Sequence, residues 1–246
     1  MRNEHVDHHV ALVTGAGGAI GAEIAMQLSI DGYRVVCADQ DEVAAAATAT
    51  RIGGVAFRCD VRAVTDIQNL KLALDEGFGH VGTLVNVAGV FFTHRIPELS
   101  EADWDVIIDV NLKGTFLMCK TFLPDMITKH AGCIINIGST AGLHGSRDRA
   151  AYCASKAGVI LFSRALALDH GRDGVRINCI CPGLIDTPMV GWLTQDQVAF
   201  SAWQASVPAQ RIGSPVDIAS AVSYLASPHA SYVHGATLVV DGGETA

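Results

Sequence analysis

The sequence has no hydrophobic run long enough to cross a membrane and no cluster of positive charge. Its apolar stretches, such as Val10 to Val13, fall well short of the ~18 residues that span a bilayer. Only 17% of the 246 residues are charged, and 25 acidic against 17 basic side chains give a net charge of −8. Because a phosphate backbone is bound by clustered Lys and Arg, we expect no nucleic-acid partner. We expect no membrane association either.

The N-terminal residues 1–9 are polar and lack the apolar core of a secretory signal, which favours a cytoplasmic protein. The seven cysteines agree, since their number is odd and most lie in apolar segments, where a reduced thiol behaves as a small hydrophobe. Cys179 and Cys181 form a C-x-C pair, which we expect to point to opposite faces of a strand. We therefore predict no zinc site, and no other metal site.

Short apolar runs alternate with segments of helical periodicity from residue 10 onward. This alternation is typical of a parallel sheet covered by helices on both faces. We predict one α/β domain over residues 1–246, a Rossmann-type doubly wound sheet of about seven strands, with a substrate flap at about 188–212. The predicted strands are 10–14, 35–38, 55–58, 83–86, 133–137, 176–180 and 237–240, and the predicted helices are 20–28, 42–51, 64–76, 101–129, 152–170 and 215–226.

A glycine-rich turn, Thr14-Gly15-Ala16-Gly17-Gly18-Ala19-Ile20-Gly21, joins the first predicted strand to the first predicted helix. Its glycines permit positive φ and leave room for phosphate oxygens at the helix N-terminus. Asp39 ends the second strand, 24 residues after Gly15, where a carboxylate can accept hydrogen bonds from ribose hydroxyls. An acid there would repel a 2′-phosphate, and neighbouring Gln40 and Asp41 supply no cation. The coenzyme is therefore predicted to be NAD rather than NADP.

Tyr152 and Lys156 lie four residues apart on a predicted helix and so share one face. Lowering the pKa of a phenol from ~10 by ~3 units takes ~4 kcal/mol, which one ammonium ~4 Å away supplies at an effective dielectric constant of ~20. Ser139 follows the fifth strand, where its hydroxyl can donate to a substrate oxygen, and Asn111 falls inside a helical stretch. Taken singly, each residue is compatible with a surface, capping or core role. Their combination predicts a catalytic site.

Further strings follow in a fixed order along the chain. They are Asp60-Val61, Asn86-Val87-Ala88-Gly89, Pro182-Gly183 with Thr187, and Asp241-Gly242-Gly243. With the glycine turn, Asn111, Ser139 and the Tyr152-Lys156 pair, these strings resemble the short-chain dehydrogenase/reductase family over nearly the whole chain. The resemblance implies hydride transfer between NAD(H) and a secondary alcohol or ketone, in a homotetramer.

The resemblance also implies individual roles. Tyr152 would be the acid/base, Ser139 would orient the substrate oxygen, and Asn111 would hold a water in a proton relay. Lys156 would lower the pKa of Tyr152 and bind the nicotinamide ribose. The sequence departs from the family pattern at Ala19, Val87 and Gly138, the last of which stands where a serine often precedes the catalytic one. The implied coenzyme contacts are Gly15, Gly17, Gly18, Ala19, Ile20, Gly21, Asp39, Asp60, Val61, Asn86, Ala88, Gly89, Tyr152, Lys156, Pro182, Gly183, Ile185 and Thr187.

Bulky residues near these motifs are candidates for a substrate pocket that takes a ring or a medium-length chain. Arg147-Asp148-Arg149 is expected to be a solvated charged turn rather than a steering site. Two other functions stay open: a 3-oxoacyl-[acyl-carrier-protein] reductase, and a catalytically silent NAD(H)-binding regulator. The candidate pocket residues are Phe91, His94, Leu143, His144, Leu184, Met189 and Trp192.

Overall fold

The computed structural model describes residues 10–191 and 195–246. Seven strands form one sheet in the order β3-β2-β1-β4-β5-β6-β7, and every neighbouring pair is parallel. The predicted doubly wound α/β fold is confirmed. The strands are β1 (Val10–Thr14), β2 (Arg34–Asp39), β3 (Val55–Arg58), β4 (Thr83–Asn86), β5 (Gly132–Ile137), β6 (Val175–Pro182) and β7 (Thr237–Val240).

Helices cover both faces of the sheet. Side chains alternate along β1, so that Val13 packs with Ile24 and Val222 on one face, while Leu12 packs with Leu70 and Phe122 on the other. The order of the strands reverses between β1 and β4, which leaves a crevice at their carboxyl ends. The helices are α1 (Ala19–Ile30), α2 (Glu42–Ile52), α3 (Val64–Gly77), α4 (Glu101–Ile108), α5 (Gly114–Thr128), α6 (Ala150–His170), α7 (Gln197–Ser206) and α8 (Pro215–Ala226).

The predicted continuous helix 101–129 is wrong in one respect. A wide π turn, Asp109–Lys113, separates α4 from α5, and the Gly114 amide bonds to the Asp109 carbonyl across it. A Cβ at Gly114 would lie 2.7 Å from Cγ2 of Val61, so α5 starts in close contact with the segment after β3. Such turns insert one residue into a helix and are frequent at functional sites. Here the turn carries Asn111.

Among the described residues, one helical stretch, Ala150–Asp173, is long and apolar enough to cross a membrane by length and composition. It consists of α6 and the turn after it. Val159 and Ile160 on α6 are buried and pack with side chains of β6. We therefore assign α6 to the core of the fold, where it also carries Tyr152 and Lys156.

The expectation that Cys179 and Cys181 point to opposite faces is wrong. Residues two apart on a strand point to the same face, because side chains alternate with a period of two. Both thiols are fully buried and pack with Val159 and Ile160 of α6. Within the described ranges, no group of three or more His, Cys, Asp or Glu side chains is placed to hold a metal ion.

Candidate active site

Two adjoining cavities lie at the carboxyl edge of the sheet. The first, of about 440 Å³, extends from the glycine turn past Asp39 to the segment after β4. The second, of about 180 Å³, lies against Ser139 and Tyr152. Residues such as Ile20 and Gly89 line both, so the cavities form one continuous cleft. This is the crevice where ligands bind in sheets of this topology.

The glycine turn fits a pyrophosphate. Gly15 has φ +66°, and a Cβ there would lie 2.9 Å from the Cα and amide nitrogen of Ala88. A Cβ at Gly21 would lie 2.1 Å from the Gly15 carbonyl oxygen. Helix α1 begins at Ala19 with no side-chain cap from its N-cap residue, Gly18, so its first amides can bind an anion. Only glycine therefore permits the close approach of Gly15 to the Ala88 backbone and of Gly21 to the Gly15 carbonyl, which shapes the turn.

Asp39 ties the end of β2 to the glycine turn. Its Oδ2 accepts the Gly17 amide at 2.9 Å, and its Oδ1 accepts the Asp41 amide at 3.0 Å. Each carboxylate oxygen has more than one acceptor site, so both can still accept from a ribose hydroxyl. The carboxylate lies in the wall of the first cavity.

Arg62 also lines the first cavity, and sequence reasoning missed it. Its guanidinium binds both carboxylate oxygens of Asp60, with Nη2 2.7 Å from Oδ2 and Nε 3.0 Å from Oδ1. This contact holds the pKa of Asp60 below its usual range. The positive charge of Arg62 is thus matched locally by Asp60.

Three of the four predicted catalytic residues, Ser139, Tyr152 and Lys156, line the second cavity, and Asn111 is not part of its lining. Ser139, two residues after β5, lies near the phenol of Tyr152 and acts to lower the pKa of that phenol, and its hydroxyl accepts the Ala141 amide at 3.1 Å. Lys156, one turn along α6 from Tyr152, is 4% exposed, and its Nζ donates to the Ile137 carbonyl at 2.9 Å. That ammonium lies 5.8 Å from the centre of the Tyr152 ring. One strand end and one helix therefore fix all three groups.

Burial dominates the electrostatics of this pair. It lowers the pKa of Lys156 from 10.5 to about 8 and raises the pKa of Tyr152 above its ordinary 10.0. The neighbouring Ser139 hydroxyl and the charge of Arg149 oppose the rise at Tyr152. This direction differs from the lowering expected from Lys156 alone, because the low-dielectric surroundings that strengthen the attraction also penalise the phenolate itself.

Asn111 fastens the segment after β4 to α6. Its Oδ1 accepts the Val90 amide at 2.8 Å, and its Nδ2 donates to the Val90 carbonyl and to Oγ of Ser155, each at 3.0 Å. The Ser155 hydroxyl in turn donates to the carbonyl of Tyr152 at 2.8 Å. The side-chain amide has thus used both of its hydrogens. A relay water at Asn111 would therefore have to donate, either to the second acceptor site of Oδ1 or to the backbone carbonyl, which already accepts Thr115 Oγ1 at 2.8 Å.

Replacing Asn111 with alanine is expected to lower the free energy of unfolding by about 2–4 kcal/mol, because it leaves the half-buried amide and carbonyl of Val90 and the buried Ser155 hydroxyl without this partner. It should also lower kcat, because the Ser155 hydroxyl that bonds to the Tyr152 carbonyl loses its hydrogen bond from Asn111. Urea unfolding and steady-state kinetics measure the two effects. Asn178→Ala is the matched control, since buried Asn178 makes two comparable bonds, to Val233 and Ala236, far from the cleft. Equal losses of kcat in both variants would contradict the positioning role.

Most predicted contacts lie where the sequence placed them, but several do not. Asn86 is buried beneath the cleft, where its amide donates to Oδ1 of Asn136 at 2.8 Å. Gly17, His94 and Leu143 line neither cavity, and Trp192 lies outside the described residues. The predicted residues that line the cleft are Gly15, Gly18, Ala19, Ile20, Gly21, Asp39, Asp60, Val61, Ala88, Gly89, Phe91, Ser139, His144, Tyr152, Lys156, Pro182, Gly183, Leu184, Ile185, Thr187 and Met189.

Two charged residues of the second cavity were not among the predicted sites. Arg149, expected in a solvated turn, lines this cavity, with its guanidinium 5.1 Å from the centre of the Phe91 ring. Glu244, just after the Asp241-Gly242-Gly243 turn, also lines it and accepts Nε1 of Trp203 on α7 at 3.2 Å. The carboxylate thus joins the C-terminal segment to the predicted flap. No sequence pattern in either segment signals this convergence.

Comparison with known proteins decides the family. A family model described as enoyl-(acyl carrier protein) reductase matches residues 15–245. The chain belongs to the short-chain dehydrogenase/reductase family. It is therefore an oxidoreductase that acts on a secondary alcohol or ketone, as the sequence predicted.

Its relatives in this family include alcohol dehydrogenases and ketone reductases. The chain is 39% identical over 245 residues to D-threitol dehydrogenase of Mycolicibacterium smegmatis, covering 98% of this chain and 94% of that protein. It is 39% identical over 241 residues to 3-oxoacyl-[acyl-carrier-protein] reductase FabG of Vibrio cholerae, covering 97% and 98%. The crystal structure of gox2181 matches with a TM-score of 0.94 at 33% identity, covering 98% of this chain and 96% of that one.

Proposed function

We propose that this short-chain dehydrogenase/reductase is an NAD-dependent dehydrogenase of a small, uncharged secondary alcohol with a neighbouring hydroxyl, such as a diol or a short polyol. The observation that carries the proposal is the small cavity at Ser139 and Tyr152. Its volume of about 180 Å³ is below the ~300–1,000 Å³ of pockets for drug-sized ligands. Apolar Phe91 and Leu184 line it together with polar Ser146 and Glu244, a mixture that suits a short hydroxylated chain.

The side chains have separable roles in this oxidation. The Ser139 hydroxyl holds the substrate oxygen beside the Tyr152 oxygen, and Tyr152, ionised as the phenolate, takes the hydroxyl proton and becomes the phenol. A bound nicotinamide coenzyme supplies the hydride acceptor and, in its oxidised form, a positive ring charge. The Lys156 ammonium, 5.8 Å from the ring, adds its own charge in favour of the phenolate. In ketone reduction, Tyr152 returns the proton.

Asp39 supports the choice of NAD, and Asp39→Asn tests it. The asparagine amide oxygen can replace only one of the two carboxylate acceptors, for either the Gly17 or the Asp41 amide, but the side chain no longer repels a 2′-phosphate. We expect the ratio of kcat/KM for NAD to that for NADP to fall at least about tenfold, the scale of one charge interaction near a protein surface. Asp41→Asn is the control, because it makes the same charge change at a residue that caps α2 and lies outside the cavity lining. An unchanged ratio in Asp39→Asn would contradict the assignment.

A 3-oxoacyl-[acyl-carrier-protein] reductase is the second candidate, favoured by the equal identity to the Vibrio cholerae enzyme. The net charge of −8 counts against docking an acidic carrier. The two functions are separated by comparing NADPH-dependent reduction of a 3-oxoacyl thioester with NAD-dependent oxidation of a diol. Faster thioester reduction would favour the second candidate.

We also propose a cytoplasmic homotetramer. Apolar side chains are exposed on the outer helices, including Trp104 of α4, Phe116 of α5 and Leu161 and Leu168 of α6, with Leu168 88% exposed. A row of exposed apolar side chains on packed helices is suited to a subunit interface. Sedimentation equilibrium measures the assembled mass directly, and a monomer at micromolar concentration would contradict the assembly.

A further inference from the structure

Two buried thiols lie beneath the catalytic serine. Cys179 and Cys181 of β6 are both 0% exposed. A Cβ at Gly138 would lie 2.9 Å from Sγ of Cys179 and 3.0 Å from Sγ of Cys181, closer than ordinary van der Waals contact. The thiol pair therefore fills the volume that any side chain at position 138 would occupy, directly before Ser139.

The same pair also contacts the backbone of Ser139. The Ser139 amide lies close enough to the Cys181 thiol to act on the pKa of that thiol, and both sulfur atoms lie beside the same point, the Cβ position of Gly138. The next contact along the strand is made by Lys156, whose Nζ donates to the Ile137 carbonyl at 2.9 Å. Ile137, Gly138 and Ser139 are therefore each contacted from the interior of the protein. Lys156 contacts Ile137, and the thiol pair lies against Gly138 and Ser139.

The segment directly after β5 carries Ser139. Ser139 has extended backbone geometry and is followed by a single short turn, Thr140–Gly142. Its hydroxyl must meet both the Tyr152 phenol and a substrate oxygen, and small displacements of such groups reduce rates strongly. The Cys181 sulfur beside the Ser139 amide fixes the backbone from which this hydroxyl projects.

We propose that Cys181, supported by Cys179, is a positioning residue for Ser139, and that Gly138 lacks a side chain because the thiol pair occupies its place. The inference rests on the proposed function in one respect, the role of Ser139 in holding the substrate oxygen. Its structural half, the packing of the pair against Gly138, stands independently of any activity.

The first test compares Cys181→Ala with Cys181→Ser. The alanine removes the sulfur beside the Ser139 amide, so kcat should fall about tenfold, the scale of one hydrogen bond to a positioned group, with the NADH dissociation constant unchanged. The serine keeps an oxygen acceptor and should hold kcat within about twofold of wild type. Cys133→Ala is the control, since this buried thiol of β5 donates to Leu225 at 3.5 Å and lies at the opposite end of the strand. It should change the melting temperature but not kcat.

The second test is a thermal double-mutant cycle. Gly138→Ala should lower the melting temperature by roughly 3–10 °C in the wild-type chain, as expected for overpacking a filled site. In the Cys179→Ala/Cys181→Ala background, where the sulfurs are absent, the same change should lower it by less than about 2 °C. Ile160 Cγ1, 3.2 Å from the added Cβ, accounts for the remainder.

Two results would overturn the inference: additive effects in the thermal cycle, or equal losses of kcat in Cys181→Ala and Cys181→Ser. Failure of the proposed function is separately visible, because the wild-type chain would then not turn over any secondary alcohol. The thermal cycle would still report on the thiol pair in that case.

Discussion

Replacement of Tyr152 with phenylalanine is expected to lower kcat by about 10³-fold and to leave the NADH dissociation constant unchanged. The change removes only the hydroxyl that transfers the proton, and positioned acid/base groups typically contribute ~10²–10⁴-fold. The ring keeps its edge-to-face contact with Phe91, whose centroid lies 5.0 Å away at 86°. Absorbance of reduced coenzyme measures turnover, and quenching of protein fluorescence measures NADH binding.

Tyr33→Phe is the matched control for this experiment. Tyr33 is also a tyrosine whose burial raises its pKa, and its hydroxyl donates to the Ala226 carbonyl at 3.1 Å, away from the cleft. Its loss should lower the free energy of unfolding by about 1 kcal/mol without changing kcat. Retention of more than about a tenth of wild-type kcat in Tyr152→Phe would show that another group is the base.

Lys156→Met is expected to inactivate the enzyme and to stabilise the fold at neutral pH. Burial lowers the pKa of Lys156 from 10.5 to about 8, so holding it charged at pH 7 costs about 3 kcal/mol. Methionine removes this penalty but also the bond to Ile137, worth ~1 kcal/mol. The net gain of about 2 kcal/mol should raise the melting temperature by roughly 4–8 °C. Functional groups often carry such a stability cost.

The pH dependence of that gain follows from the sign of the shift. Between about pH 8 and 10.5 the folded wild type binds fewer protons at Lys156 than the unfolded chain, so its stability from this group rises with pH. The advantage of Lys156→Met should therefore be greatest below pH 8 and shrink toward pH 10. Lys71→Met is the control, since Asp75 and Asp125 raise the pKa of Lys71 and its removal offers no such gain. A loss of stability in Lys156→Met at pH 7 would contradict this account.

The sequence predicted all seven strands because buried parallel strands are continuous apolar runs, which local composition reveals. The predicted and observed strand ends differ by at most two residues, as at β6, which extends to Pro182. The π turn at Asp109–Lys113 was not predictable from helical periodicity. It ends at the contact between Gly114 and Val61, two residues brought together only by the tertiary fold.

Some residues of the candidate site could likewise be predicted from the sequence, and others could not. Ser139, Tyr152 and Lys156 belong to motifs with fixed spacing, so the sequence identified them before the fold was known. Arg62 and Glu244 reach the cleft from segments without such a motif. The wrong prediction for Cys179 and Cys181 has a different origin, since the strand period of two already places their thiols on one face. Their contact with Gly138 could not be derived from that period.

The most direct test of the central claim is a coenzyme-reduction assay with the purified full chain. Short diols, polyols and monohydric secondary alcohols are each offered with NAD and with NADP, and reduced coenzyme is followed by its absorbance. The account predicts turnover with NAD and a vicinal diol or polyol, and its near-complete loss in Tyr152→Phe. Coenzyme binding without turnover of any alcohol or ketone, with either coenzyme, would contradict it.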